Sequence, residues 1–165
     1  MHTSASFFIL LIFAMTFAGC VITHKTGTDT KPHLYPSFTV NGDISIINSQ
    51  KRQYQTINLD GSTCTVDLIE IVDSAKQSIE NQLKVAKSTN NADQNKSIGL
   101  SISNIHVTGI FKVTIHVKIT LGNGISRGVE AKGKSFLINN AIDNATYNIS
   151  DKVLFSIDVL NYIEK

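Results

Sequence analysis

The chain contains no tryptophan, two cysteines and two prolines in 165 residues. Cys20 and Cys64 form no CxxC pair, and no His/Cys set stands at metal-ligand spacing, so neither a metal nor a cofactor is expected. The net charge is +2 and no basic cluster exceeds Lys51-Arg52, too little to attract nucleic acid. No phosphate cradle is present either: Gly122-Asn123-Gly124-Ile125 joins two strands and opens no helix. His106 has no carboxylate or cysteine beside it in the pattern, and His116 falls on the polar face of a strand, so no nucleophile and base assemble. The chain is therefore expected not to be an enzyme. The lack of Trp, with many Asn, Ser, Thr, Ile and Lys, reads as genome composition rather than function. The acceptor patterns at Asn95, Asn144 and Asn148 read as chance matches in an Asn-rich chain.

The N-terminus carries the strongest positive signal. An unbroken apolar run, Phe7 to Met15, is followed by Phe17-Ala18-Gly19-Cys20. The run is too short to cross a hydrocarbon core of about 30 Å and fits a signal-peptide h-region. Its n-region has no Lys or Arg, and Phe17 stands where Leu is usual. Ala18 and Gly19 suit a signal-peptidase pocket, with cleavage between Gly19 and Cys20, and Cys20 can then take a diacylglyceryl thioether. Two or more acyl chains anchor stably where one does not. Val21 rather than Asp follows the cysteine, which favours the outer membrane, the domain facing the periplasm. In the alternative, a plain cleaved signal, Cys20 would be a disulfide partner of Cys64 or incidental.

Residues 20–37 are polar, Thr-rich and hold both prolines, Pro32 and Pro36, which reads as a lipidated cysteine and a tether. His24 and His33 lie there and read as solvated. Residues 38–165 then make one domain. A first strand is expected over 38–48 around Gly42, followed by a polar connection over 49–64 with an Asp60-Gly61 turn. Cys64 is expected as a partly buried residue in the loop before a helix. Leu68, Ile69, Val72, Ala75, Ile79, Leu83 and Ala86 recur at helical spacing, with Thr63 or Thr65 as cap and Glu70, Asp73 and Glu80 on the wet face.

A meander follows. Ile98, Leu100 and Ile102 change parity to Ile105 and Val107, which predicts a bulge near Ser103-Asn104. From Phe111 to Leu121 apolar and polar residues alternate without a break, the pattern of a half-buried antiparallel strand. Gly122-Asn123-Gly124 turns the chain into a weakly apolar strand, 125–135, bearing Arg127, Glu130, Lys132 and Lys134. That strand is the expected sheet edge and the candidate surface for a partner. One terminal helix is expected over 141–163, its buried stripe running through Ile142, Ala145, Ile149, Val153, Ile157, Leu160 and Ile163. The fold class is α+β: an antiparallel sheet of about four strands, two amphipathic helices on one face, ordered strand, helix, meander, helix.

Ala18-Gly19-Cys20, the helix 66–86, the hairpin around Leu121-Gly122-Asn123-Gly124 and the final helix together make the chain resemble small α+β envelope lipoproteins of Gram-negative bacteria, among them the ABC-transport auxiliary lipoproteins. The resemblance implies a lipid on Cys20 and a protein partner in the cell envelope, with the chain as an accessory or binding subunit in transport or assembly. The alternative function is a small-ligand or lipid-binding module with a cavity between sheet and helices.

Overall fold

The computed structural model describes residues 20–22, 38–59, 61–89 and 95–165. The expected signal segment with its Gly19 cleavage position, residues 23–37 of the expected tether, Asp60 of the expected Asp60-Gly61 turn and residues 90–94 lie outside the described residues. In chain order the elements are β1 (Cys20–Ile22), β2 (Thr39–Asn41), β3 (Asp43–Asn48), β4 (Tyr54–Leu59), β5 (Ser62–Asp67), α1 (Leu68–Val85), β6 (Lys87–Thr89), β7 (Asn95–Thr108), β8 (Lys112–Leu121), β9 (Ser126–Lys134), α2 (Ile138–Leu154) and α3 (Ile157–Glu164).

The fold class is α+β, as the patterning indicates, and its main sheet has four strands in the order β3-β7-β8-β9. Alternation places Val113, Ile115, Val117, Ile119 and Leu121 of β8 on one face, all buried. The parity change in β7 is a register shift between Ile102 and Asn104, which keeps Ile105 on the buried face. At the far end of β8, Gly124 takes φ +88° and its N–H donates to the Leu121 carbonyl at 2.9 Å, closing the turn into β9.

The sheet is mixed, not wholly antiparallel. β3 runs parallel to β7, with Ile46 beside Ile98 and Asn48 beside Leu100. These strands are joined through a hairpin and the 18-residue α1, and such a crossover returns the chain to the end it started from, so the next strand runs parallel. The expected first strand breaks at Gly42, whose φ of +82° ends β2 before β3 begins, and β2 pairs in parallel with β6 instead.

Residues 49–64 are more than a connection. β4 and β5 form a second antiparallel hairpin with Ile57 opposite Cys64, and β1 adds to it in parallel, Cys20 opposite Cys64. Cys64 accordingly sits buried within a strand, not in a loop. The cap of α1 is Asp67 rather than Thr63 or Thr65: one carboxylate oxygen accepts from the N–H groups of Ile69 at 2.9 Å and Glu70 at 3.1 Å. Asp serves better here because its charge also complements the helix N-terminus.

Three helices are described where two were expected, since the C-terminal one stops at Phe155 and restarts after Ser156. The Ser156 hydroxyl accepts from the Val159 N–H at 3.4 Å and caps α3. The restart changes the phase of the apolar stripe, so Val159 and Ile163 are buried while Ile157 is exposed. α1 and α2 lie side by side over the inner face, α2 over β8 and β9. Small residues set how close α2 comes: a Cβ on Gly133 would collide with the Ala141 carbonyl oxygen and the Ala145 nitrogen. Ile79, Ile115, Ile142, Ala145 and Ile149 are 0–1% exposed and belong to one core cluster. Lys96, also buried, donates from Nζ to the Asn41 carbonyl at 2.6 Å and the Ile163 carbonyl at 3.4 Å, tying β2 to the end of α3.

Candidate interaction surface

The outer face of the main sheet has no helix on it among the described residues. Across β7, β8 and β9 its rungs read Ser101-Lys118-Gly128, Asn104-His116-Glu130, His106-Thr114-Lys132 and Thr108-Lys112-Lys134. Four lysines and two histidines thus stand against one carboxylate. The same alternation that buries Val113 to Leu121 forces this polar set outward.

All four candidate residues lie on β9, but they do different things. Arg127 sits next to α3, and its Nε donates to Asp158 Oδ2 at 2.6 Å. Glu130 lies in the middle of the outer face, 3.6 Å from His116 Nδ1 and 3.4 Å from Lys132 Nζ. Those pairs are solvent-exposed and contribute little to stability. Lys134 stands apart at the end of the strand, opposite Lys112.

β9 is the sheet edge, yet only part of it is open. Asn148 Nδ2 donates to the Lys132 carbonyl at 2.8 Å, and Asn144 Nδ2 to the Lys134 carbonyl at 3.1 Å. Those carbonyls therefore point away from β8, and by strand geometry Gly128 and Glu130 present their backbone groups in the same direction. Two asparagines one helical turn apart on α2 thus cover the second half of the edge and leave Gly128–Glu130 exposed. Tyr147, beside them on α2, has its hydroxyl pKa raised, first by burial and then by the Asp151 carboxylate. Pattern reading dismissed Asn144 and Asn148 as chance glycosylation matches. Nothing local sets these two apart, because α2 also holds Asn139, Asn140, Asp143, Thr146 and Asp151, all poor helix formers.

Side-chain amides also close the other bare edge, where β7 runs on past β3. Gln50 Oε1 accepts from the Ile102 N–H at 2.7 Å. Gln55 is bidentate, accepting from the Ile105 N–H at 3.0 Å and donating to its carbonyl at 2.7 Å. Unpaired strand groups invite foreign strands, and capping them prevents it. Gly128–Glu130 has no such cap among the described residues.

The structure places the remaining candidates as follows. Cys20 begins β1, while His24 and His33 lie outside the described residues. Glu80 pairs with Lys76 at 3.8 Å and Asp73 accepts from Asn48 Nδ2 at 2.8 Å, both on the wet side of α1. Two open clefts of about 450 Å³ lie at the margins of the domain. One is bounded by Val40, Asp43 and Leu83, the other by Lys96, Asn123 and Tyr162.

No protein-family model and no curated protein matches the chain. Solved structures do. A protein from Xanthomonas campestris assigned to the family DUF330 has a TM-score of 0.50 at 11% identity, covering 86% of this chain and 95% of that one. A PelC dodecamer from Paraburkholderia phytofirmans has a TM-score of 0.35 at 16% identity, covering 81% and 94%. The first likeness is one of fold: this chain folds as a small, uncharacterised bacterial α+β protein does.

Proposed function

We propose that the chain is a lipid-anchored protein of the bacterial envelope, non-enzymatic, that holds a second protein against the outer face of its sheet as an accessory subunit in transport or assembly. The anchor rests on Phe17-Ala18-Gly19-Cys20 following an apolar run of signal-peptide length. The binding role rests on one observation: β9 leaves Gly128–Glu130 open while the amides of Asn144 and Asn148 cover the neighbouring edge carbonyls. An extended segment of a partner could pair there by strand addition, its side chains meeting Lys118, Glu130 and Lys132.

The competing reading, a ligand held between sheet and helices, has less support, because Ile79, Ile115, Ile142 and Ile149, which face that space, belong to one buried core cluster.

The experiment is site-directed photo-crosslinking in intact cells from Gly128, compared with Lys76 on the wet side of α1. A discrete adduct from position 128, absent from position 76 and lost when Glu130 is changed to Pro, is the expected result. The same adducts from both positions, or none from 128, would end the edge-binding reading.

A further inference from the structure

At one end of the sheet two turns lie together, with Ser135 donating its N–H to the Phe111 carbonyl at 3.3 Å. In the first, Phe111 donates back to the Gly109 carbonyl at 2.8 Å, a three-residue turn with Ile110 at its apex. The second is Ser135-Phe136-Leu137. Ile110 is 67% exposed, Phe136 86% and Leu137 62%, so both turns carry large apolar side chains outward.

Three further features of this tip run against local stability. Leu137 occupies the N-cap of α2 with no side-chain cap and no acidic residue in the first turn. By contrast, α1 has Asp67 and Glu70, and α3 has Ser156 and Asp158. Lys112 and Lys134 stand directly opposite each other on β8 and β9, a like-charge pair that destabilises a sheet. Phe111 adopts φ +34°, a backbone region that favours glycine. Such departures from local preference gather at functional positions.

We infer that this tip inserts into an anionic lipid leaflet, Ile110, Phe136 and Leu137 entering the acyl boundary while Lys112, Lys134 and the uncapped start of α2 meet the headgroups. Each feature becomes favourable there: apolar side chains leave water, the lysine pair gains counter-charges, and the helix N-terminus gains anions. A protein partner fits less well, because three residues on a convex tip fall far short of the roughly 800 Å² per side of a stable interface.

The topology puts Cys20 at the same end. Gln50 meets Ile102, Arg52 meets Ser103 and Gln55 meets Ile105, so β4 advances in the same direction as β7. Leu59 and Ser62, the facing ends of β4 and β5, therefore lie toward the β7–β8 turn that holds Ile110. Cys20 pairs with Cys64, two residues into β5, and β1 runs away from that end. Anchor and tip would then address one membrane, an inference that rests on the proposed lipid on Cys20 only for its direction.

The chain has no Trp, so Phe136→Trp gives it a single fluorescent reporter. Ile157→Trp is the control: Ile157 is 74% exposed beside Asp158, the partner of Arg127, seven residues and roughly 24 Å along β9 from Lys134. Both full-length variants would be mixed with vesicles of equal parts phosphatidylglycerol and phosphatidylcholine with brominated acyl chains, with Cys20 intact and with Cys20→Ser. The expected result is a blue shift and quenching for F136W in both backgrounds and neither for I157W. Lys112→Ala or Lys134→Ala should each weaken F136W partitioning about fivefold. F136W left unquenched on vesicles that float with the chain would overturn the tip while leaving the anchor standing. Equal quenching of F136W and I157W would overturn it as well. Quenching of F136W in a chain that carries no lipid on Cys20 would sustain the tip without the anchor.

Discussion

The two faces of the main sheet are built from the same four strands, and they obey different rules. On the inner face, Val113 to Leu121 of β8 and Ala131 and Gly133 of β9 fit α2 closely enough that a single added methyl on Gly133 would strike its backbone. On the outer face Lys112, His116, Lys118, Glu130 and Lys132 stand in water, and their pairs are loose, 3.4 Å and 3.6 Å. The inner face supplies most of the free energy of folding, since Val113, Ile115, Val117, Ile119, Leu121 and Ala131 are all buried there. The outer face could be rewritten with little effect on the fold, so its four lysines, together with the open Gly128–Glu130 edge, are free to serve recognition.

Substitutions can break that contrast in graded steps. Gly133→Ala should have the largest effect, on the order of 4 kcal/mol, because the clash is with helix backbone that cannot repack around it. A chemical denaturation midpoint unchanged in that variant would mean that α2 does not sit where described. Ile115→Ala, in the middle of the inner face, should cost about 3 kcal/mol through lost burial and the cavity left behind. Asn148→Ala is expected to cost less than about 1 kcal/mol, since water can reach the Lys132 carbonyl, yet it lengthens the bare edge. Its signature should be stronger concentration-dependent association by sedimentation velocity than the parent chain shows under the same conditions. Lys118→Ala, on the outer face, should shift stability by no more than about 0.5 kcal/mol in the same denaturation series.

The legible parts of the fold were those with a strong local period. β8 announces itself by uninterrupted alternation, α1 by its apolar stripe, and the β8–β9 turn by Gly122-Asn123-Gly124. The bulge in β7 was readable because parity changes between Ile102 and Ile105. What escaped was long-range or weakly patterned. The parallel pairing of β3 with β7 depends on residues about fifty positions apart meeting across a crossover, which no local window encodes. The β4–β5 hairpin buries only Ile57, Cys64 and Val66 among threonines and other polar residues, so its alternation was too thin to see. The break after Phe155 was hidden because Ile157, Leu160 and Ile163 prolong the stripe by eye, although Ser156 is a good cap. Of the candidate surface, Arg127, Glu130, Lys132 and Lys134 were found together on one edge strand. The asparagines that decide how much of this edge is open were not, because a side chain bonding a neighbouring strand's carbonyl leaves no periodic mark.

The proposed lipid on Cys20 would give both the outer face and the apolar tip a membrane to work beside. Its most direct test is the intact mass of the protein extracted from membranes, with Cys20→Ser in parallel. The prediction is a chain beginning at Cys20 with added acyl mass, and no such species from the variant. A soluble chain of unmodified mass, cut elsewhere or joined from Cys20 to Cys64 by a disulfide, would contradict it.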